Sequence, residues 1–222
     1  MHFDVAVRQL LNAGAALVLS LSLGGPALAQ TVLNGLTFDS ADGNHTHAPA
    51  GSAEVGGFGN VEIVRGMSEF DISSLGSTVT SASLRFTLSQ LNGCCGQSPL
   101  DGTIEVVSYV GNNAADQADF NTPTSGTIGT FTTTGAVVGD IYTFDVTALV
   151  NAARSASNTS FGVRLARSPE SGANEALTFS NFQLLLDAPV AAPRTVPTLS
   201  VMSLLALSGL IAGFAAVRMR RK

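Results

Sequence analysis

The sequence predicts an all-β domain, a sandwich or barrel with one short helix, set between two apolar terminal segments. Three observations predict it. Apolar residues recur with a period of two through the middle of the chain, turn-forming Gly, Asn and Asp separate these runs, and a single segment switches to helical spacing. The composition explains the ends. With 45% hydrophobic and only 12% charged residues in 222, the chain is too apolar for one soluble globule, so part of it belongs in a membrane or is removed.

Residues 1–29 read as a secretory signal. Arg8 precedes an apolar run from Leu10 to Leu23, Gly24-Gly25-Pro26 breaks the helix, and Ala27-Leu28-Ala29 supplies the small residues a signal peptidase accepts. The mature chain is expected to begin near Gln30.

The β domain occupies residues 30–188. Ala82, Leu84, Phe86 and Leu88 alternate with Ser83, Arg85, Thr87 and Ser89, so one face is apolar and the other polar. Phe161-Gly162-Val163-Arg164-Leu165 and Phe182-Gln183-Leu184 repeat the alternation, while Ile104–Val110 and Ile141–Val146 are further strand-like runs. Asn92-Gly93, Asp101-Gly102, Gly111-Asn112-Asn113 and Gly139-Asp140 mark turns between them. From Asp145 to Arg154 the spacing becomes helical, with Asp145 or Thr147 placed to cap and Leu149, Val150 and Ala153 on one face. The domain sets five arginines against fifteen carboxylates, a net charge of −10. Such a surface suits cations and excludes nucleic acid as a partner.

Residues 189–198 read as a linker ending in a sorting motif, and residues 199–217 as a transmembrane helix. Leu199–Val217 is 19 residues without a charge, enough helix to cross roughly 28 Å. Arg218, Arg220, Arg221 and Lys222 follow at once and hold the 218–222 tail on the cytoplasmic side. A glycolipid-anchor signal is the rival reading, given small Ala191-Ala192 ahead of an apolar tail, but such tails lack a basic terminus.

Two resemblances rest on these residues. Val196-Pro197-Thr198-Leu199-Ser200, an apolar helix and an Arg-rich end together resemble the IPTL variety of PEP-CTERM sorting signals. That resemblance implies an exosortase-type processing enzyme as a partner. The blocks Val55-Gly56-Gly57, Arg65 to Leu75, Thr78 to Arg85, Phe144 to Val150 and Phe161 to Leu165 are similar, in order, to DNRLRE-type domains. This second resemblance implies a jelly-roll-like β-sandwich of bacterial and archaeal surface proteins, some of which bind carbohydrate, and it brings no catalytic residues.

Few residues could carry chemistry. His45 and His47 alternate on one side of an extended segment, and neutral imidazoles bind Zn²⁺ or Cu²⁺. Asp39, Asp42 or Glu54 could complete such a set, although a solvated loop is the plainer reading of a stretch this rich in Gly, Ala and Pro. Asp39, Asp42 and Asn44 also resemble oxygen ligands of a structural Ca²⁺, without the spacing of an EF-hand.

Cys94-Cys95 lies between Gly93 and Gly96 with no third cysteine in the chain. In an oxidising compartment the two can close on each other through a strained ring with a distorted or cis peptide, the glycines supplying backbone freedom. The alternatives are cross-linking between chains or two reduced thiols. No nucleophile elbow is present, and Trp is absent, which leaves Tyr109 and Tyr142 as the only tyrosine stacking groups. The expectation is a non-enzymatic surface protein, extracytoplasmic and either membrane-anchored or released by processing, with a structural or adhesive role in the envelope or its polysaccharide. The alternative is a carbohydrate-binding module; a hydrolase would need a pair of carboxylates in a cleft.

Overall fold

A computed structural model describes residues 30–187 apart from Ser77. The signal at 1–29, the linker and sorting motif, the apolar helix at 199–217 and the basic tail lie outside the described residues. Among the described residues no helix is long and apolar enough to cross a membrane.

The described residues form eleven strands and one α-helix. In order they are β1 (Gln30–Asn34), β2 (Leu36–Ala41), β3 (Ser52–Phe58), β4 (Glu62–Asp71), β5 (Ser81–Gln90), β6 (Ser98–Pro99), β7 (Thr103–Tyr109), β8 (Thr124–Thr132), β9 (Ile141–Asp145), α1 (Thr147–Ser155), β10 (Ser160–Ser168) and β11 (Glu175–Asp187). A 3-10 helix at Gln117–Asn121 lies between β7 and β8. The described residues are therefore all-β with one short α-helix.

The ladder runs β8-β7-β10-β4-β3-β11-β5-β9, with β2 paired to β4 and β1 and β6 paired to β11. Among the described residues only the two-residue pairing of β6 with β11 is parallel. No ladder joins β8 to β9, yet Phe131 of β8 packs on Tyr142 of β9 with ring centroids 4.1 Å apart, so the sheet nearly closes on itself. β3 makes the turn between the two halves: Ser52–Gly56 pairs with β11, and Gly56–Phe58 pairs with β4.

β5 shows how sequence becomes packing. Ala82, Leu84, Phe86 and Leu88 are fully buried, while Ser83, Arg85, Thr87 and Ser89 are only partly covered. Removing alternate side chains from water is the main stabilising term of such a sheet. Phe86 lies at the centre of the aromatic packing, with Phe131, Tyr142, Phe144, Phe179 and Phe182 around it at centroid distances of 4.9 to 6.0 Å.

α1 starts where the spacing changes. The Asp145 carboxylate accepts the Thr147 N–H at 2.9 Å and the Thr147 hydroxyl at 2.6 Å, Val150 is fully buried, and Leu149 and Ala153 pack beside it.

β10 departs from the expected one-sided burial, because Ser160 through Leu165 are all buried. Phe161, Val163 and Leu165 enter the main core, while on the opposite face Ser160 bonds Glu69, the Tyr109 ring lies over Gly162 and the 3-10 segment meets Arg164. There the Arg164 guanidinium donates to the carbonyls of Asp119, Phe120 and Thr122 at 3.2, 3.0 and 2.9 Å. A second small apolar cluster, Phe38, Met67 and Tyr109, is buried apart from the main core.

Candidate metal centre and the disulfide loop beside it

The segment after β2 is ordered by its own polar groups. Asp42-Gly43 makes a tight turn, with φ of 49° and 75°. Such a dipeptide favours this left-handed geometry. The Asn44 N–H reaches the Ala41 carbonyl, and the Ala41 N–H reaches the His45 carbonyl at 2.8 Å. This small loop returns His45 to the end of β2.

Asp39 does not join the histidines as a ligand. Its carboxylate is buried, and it accepts the backbone N–H groups of His47 at 2.5 Å, Ala48 at 2.7 Å and Glu54 at 3.0 Å. Asp42 is likewise used on backbone, accepting the Ile63 N–H at 2.9 Å. Each carboxylate holds the chain next to a residue of the cluster rather than entering it. Accepting several N–H groups is what makes a buried carboxylate tolerable.

The third member is Glu62, at the start of β4. His45 Nε2 and His47 Nε2 are 3.0 Å apart, and Glu62 Oε2 lies 3.4 Å from the first and 3.5 Å from the second. The His47 side chain is only 6% exposed, against 49% for His45. Glu62 Oε2 is buried and has no hydrogen-bond partner. Sequence reasoning found both histidines but missed Glu62, since no local spacing links positions 45 and 62. The β2–β4 ladder, in which Ala41 pairs with Val64, is what brings them together.

Behind His47 lies Glu54, on β3 and fully buried. Its Oε1 is 3.4 Å from His47 Nδ1 and accepts from Gln97 Nε2 at 2.5 Å, while its Oε2 accepts the Cys94 N–H at 2.9 Å. Burial is the main cause that pushes the Glu54 carboxyl above its usual range, and the Cys94 N–H opposes it.

Cys94 and Cys95 are joined by a disulfide, and both are solvent-exposed. Their Cα atoms are 3.8 Å apart, the spacing of a trans peptide, so the cis alternative does not occur. The two flanking glycines serve different ends. Gly96 has φ of 81°, whereas Gly93 leaves room, because a Cβ there would overlap the Glu54 carboxylate.

Replacing Asp39 by Asn should test this scaffold. The amide keeps one acceptor oxygen where three N–H donors now converge, and its NH₂ would face a donor. A loss of about 2–3 kcal/mol is expected in urea denaturation. An Asp39→Asn chain as stable as the parent would show that this carboxylate does not order the segment.

Elsewhere, Arg65, Glu105, Arg164, Arg167 and Glu170 line a cleft of about 270 Å³. Its cations are engaged: Arg65 pairs with Glu170 at 2.6 Å and Arg167 with Glu175 at 2.9 Å. Neither tyrosine offers a free ring, since Tyr109 is buried and Tyr142 packs against Phe86 and Phe131. No protein-family model and no curated protein sequence matches the chain.

Proposed function

We propose that the chain is an exported, non-enzymatic surface protein with a structural or adhesive role in the cell envelope or its polysaccharide. Its sandwich, of jelly-roll type in keeping with the DNRLRE resemblance, sits outside the cytoplasm. The C-terminal segment anchors it or is processed by an exosortase-type enzyme acting at Val196–Ser200. The observation that carries the reading is the exposed Cys94–Cys95 disulfide. Cysteine pairs of this kind persist outside the cytoplasm and are reduced within it. The signal at 1–29 and the basic end at 218–222 support the same orientation from opposite ends of the sequence.

A carbohydrate-binding module is the second reading, and the cleft lined by Arg65, Glu105, Arg164, Arg167 and Glu170 favours it through its charged donors and acceptors. The packed positions of Tyr109 and Tyr142 weigh against a stacking platform. Retention on a panel of immobilised polysaccharides separates the two readings.

A reporter fused after Asp187 should be active only on the far side of the cytoplasmic membrane. In a host with the cognate sorting enzyme, the intact mass should lack the residues beyond the motif. A cytoplasmic reporter signal would remove the export reading, and a mass ending at Lys222 in that host would leave a plain anchor.

A further inference from the structure

We propose that His45, His47 and Glu62 bind a divalent transition-metal ion of the zinc and copper class, with Glu54 as the positioning residue behind His47. This site does not depend on the export reading, since its residues lie wholly within the folded domain.

The donor atoms make a triangle with sides of 3.0, 3.4 and 3.5 Å. The centre of that triangle is roughly 1.9 Å from each corner, so an ion at the usual Zn–N and Zn–O distances of about 2.0–2.1 Å sits just outside its plane. Tetrahedral coordination at that distance requires donors about 3.3–3.4 Å apart. The observed separations straddle this value. Calcium needs longer bonds and oxygen donors, which two imidazoles do not provide.

The geometry behind His47 points the same way. Glu54 Oε1 lies 3.4 Å from His47 Nδ1, placed to accept the Nδ1 proton and so to leave the Nε2 lone pair facing His45 and Glu62. Carboxylate, imidazole and ion in this order form the usual support of a metal-binding histidine. Glu62 Oε2, buried without a hydrogen-bond partner, is the independent sign. A cation just outside the triangle satisfies this oxygen and both imidazole nitrogens at once.

Three protein ligands leave a coordination position on the side of exposed His45, open to water or to a donor from outside. Glu54 lies at the other end of the His47 ring from that position, so it cannot take a proton from a water bound there. The arrangement suits binding rather than hydrolysis. Glu54 also holds the Cys94 N–H, so an ion that fixes His47 and Glu54 fixes the base of the disulfide loop as well.

The test is Zn²⁺ titration of the full chain, purified in mild detergent without a polyhistidine tag, against a chromophoric chelator. One ion per chain is expected, with Cu²⁺ in its place giving the electron-spin resonance signature of two nitrogen donors. His45→Ala and Glu62→Gln should each weaken binding by tenfold or more, and Glu54→Gln by about tenfold through the loss of His47 orientation. Glu62→Gln keeps the side-chain shape, and thermal unfolding of each variant confirms that it is folded. Zinc should also raise the melting temperature of the parent chain and not that of His45→Ala. The proposal is overturned by the absence of saturable binding, by binding that survives both ligand substitutions, or by Ca²⁺ binding in preference to Zn²⁺. Each outcome is independent of where a reporter places the domain, so failure here leaves the export reading standing.

Discussion

Phe86→Ala should remove about 3–5 kcal/mol from the stability of the domain. Phe86 is fully buried and touches aromatic rings from β8, β9 and β11, so truncation opens a cavity on which both halves of the sheet border. Its neighbours cannot collapse into the space, because each is itself held in a ladder strand. Against a typical total of about 5–15 kcal/mol, this is enough to leave a large unfolded fraction at physiological temperature. In urea the midpoint should fall sharply with an unchanged slope. Arg85→Ala, one residue away and partly exposed on the opposite face, should cost less than about 0.5 kcal/mol. Comparable losses for the two variants would contradict the inward-outward alternation of β5.

The second large effect depends on pH. Asp119, at the 3-10 helix, is buried with its Oδ2 unpartnered, and nearby Glu69 Oε1 and the Tyr109 hydroxyl are also buried and unpartnered. Desolvation first, then the charges of Glu69 and Asp116, raise the Asp119 carboxyl from 3.8 to about 7. Burial and the Glu69 charge likewise push the Tyr109 phenol up, against the opposing Arg164 cation. Glu69 keeps its other oxygen on the N–H groups of Asn112 and Asn113 and the Ser160 hydroxyl. Asp119 therefore contributes up to one more bound proton in the folded chain than in the unfolded chain between about pH 4 and 7. Stability from this group is complete at the acid end of that window and is lost as pH rises through 7. From pH 5 to pH 8 the loss amounts to about 2–3 kcal/mol. Asp119→Asn, whose amide donates to Glu69 at any pH, should flatten that part of the profile and be the more stable chain at pH 8. If both chains lose the same stability from pH 5 to pH 8, Asp119 does not carry the proton.

The two regions differ in how far local sequence describes them. β5 was fully readable, because Ala82 to Ser89 alternates without a break and one face is buried. The helix was readable from the change of spacing at Asp145. β8 was not, since Thr124–Thr132 is a polar strand at the end of the ladder with little apolar signal. β3 was obscured by Gly56 and Gly57, which lower strand propensity but sit where the strand passes from β11 to β4. β10 reads as a half-buried strand, and Tyr109 over Gly162, Glu69 on Ser160 and the 3-10 segment at Arg164 make it two-sided. At the candidate metal centre the histidines could be found but their environment could not. A stretch rich in Gly, Ala and Pro has no periodic signal, and its order comes from one carboxylate, Asp39, reaching across to three N–H groups. The Asp42-Gly43 pair was the one local sign of a fixed turn. Glu62 was beyond local reasoning, because strand pairing alone sets it beside residues seventeen and fifteen positions earlier.

β11 gives the domain a direction of mechanical strength. Its last residue, Asp187, pairs with Gln30, so the described chain begins and ends at one end of this strand. Near the other end Thr178 pairs with Glu54, and its hydroxyl donates to the Asn92 carbonyl at the base of the disulfide loop. Asp187 is nine residue steps beyond Thr178, about 30 Å of extended chain. A tether at the C-terminus and a load applied at the Glu54 end therefore pull along β11 itself. The hydrogen bonds to β1, β3 and β5 lie across that line, so they resist in shear, many at a time, instead of unzipping singly. A pull between Gln30 and Asp187 would instead peel β1 from β11 one pair after another. The same domain should be strong when drawn from end to end and weak when its two termini are drawn apart.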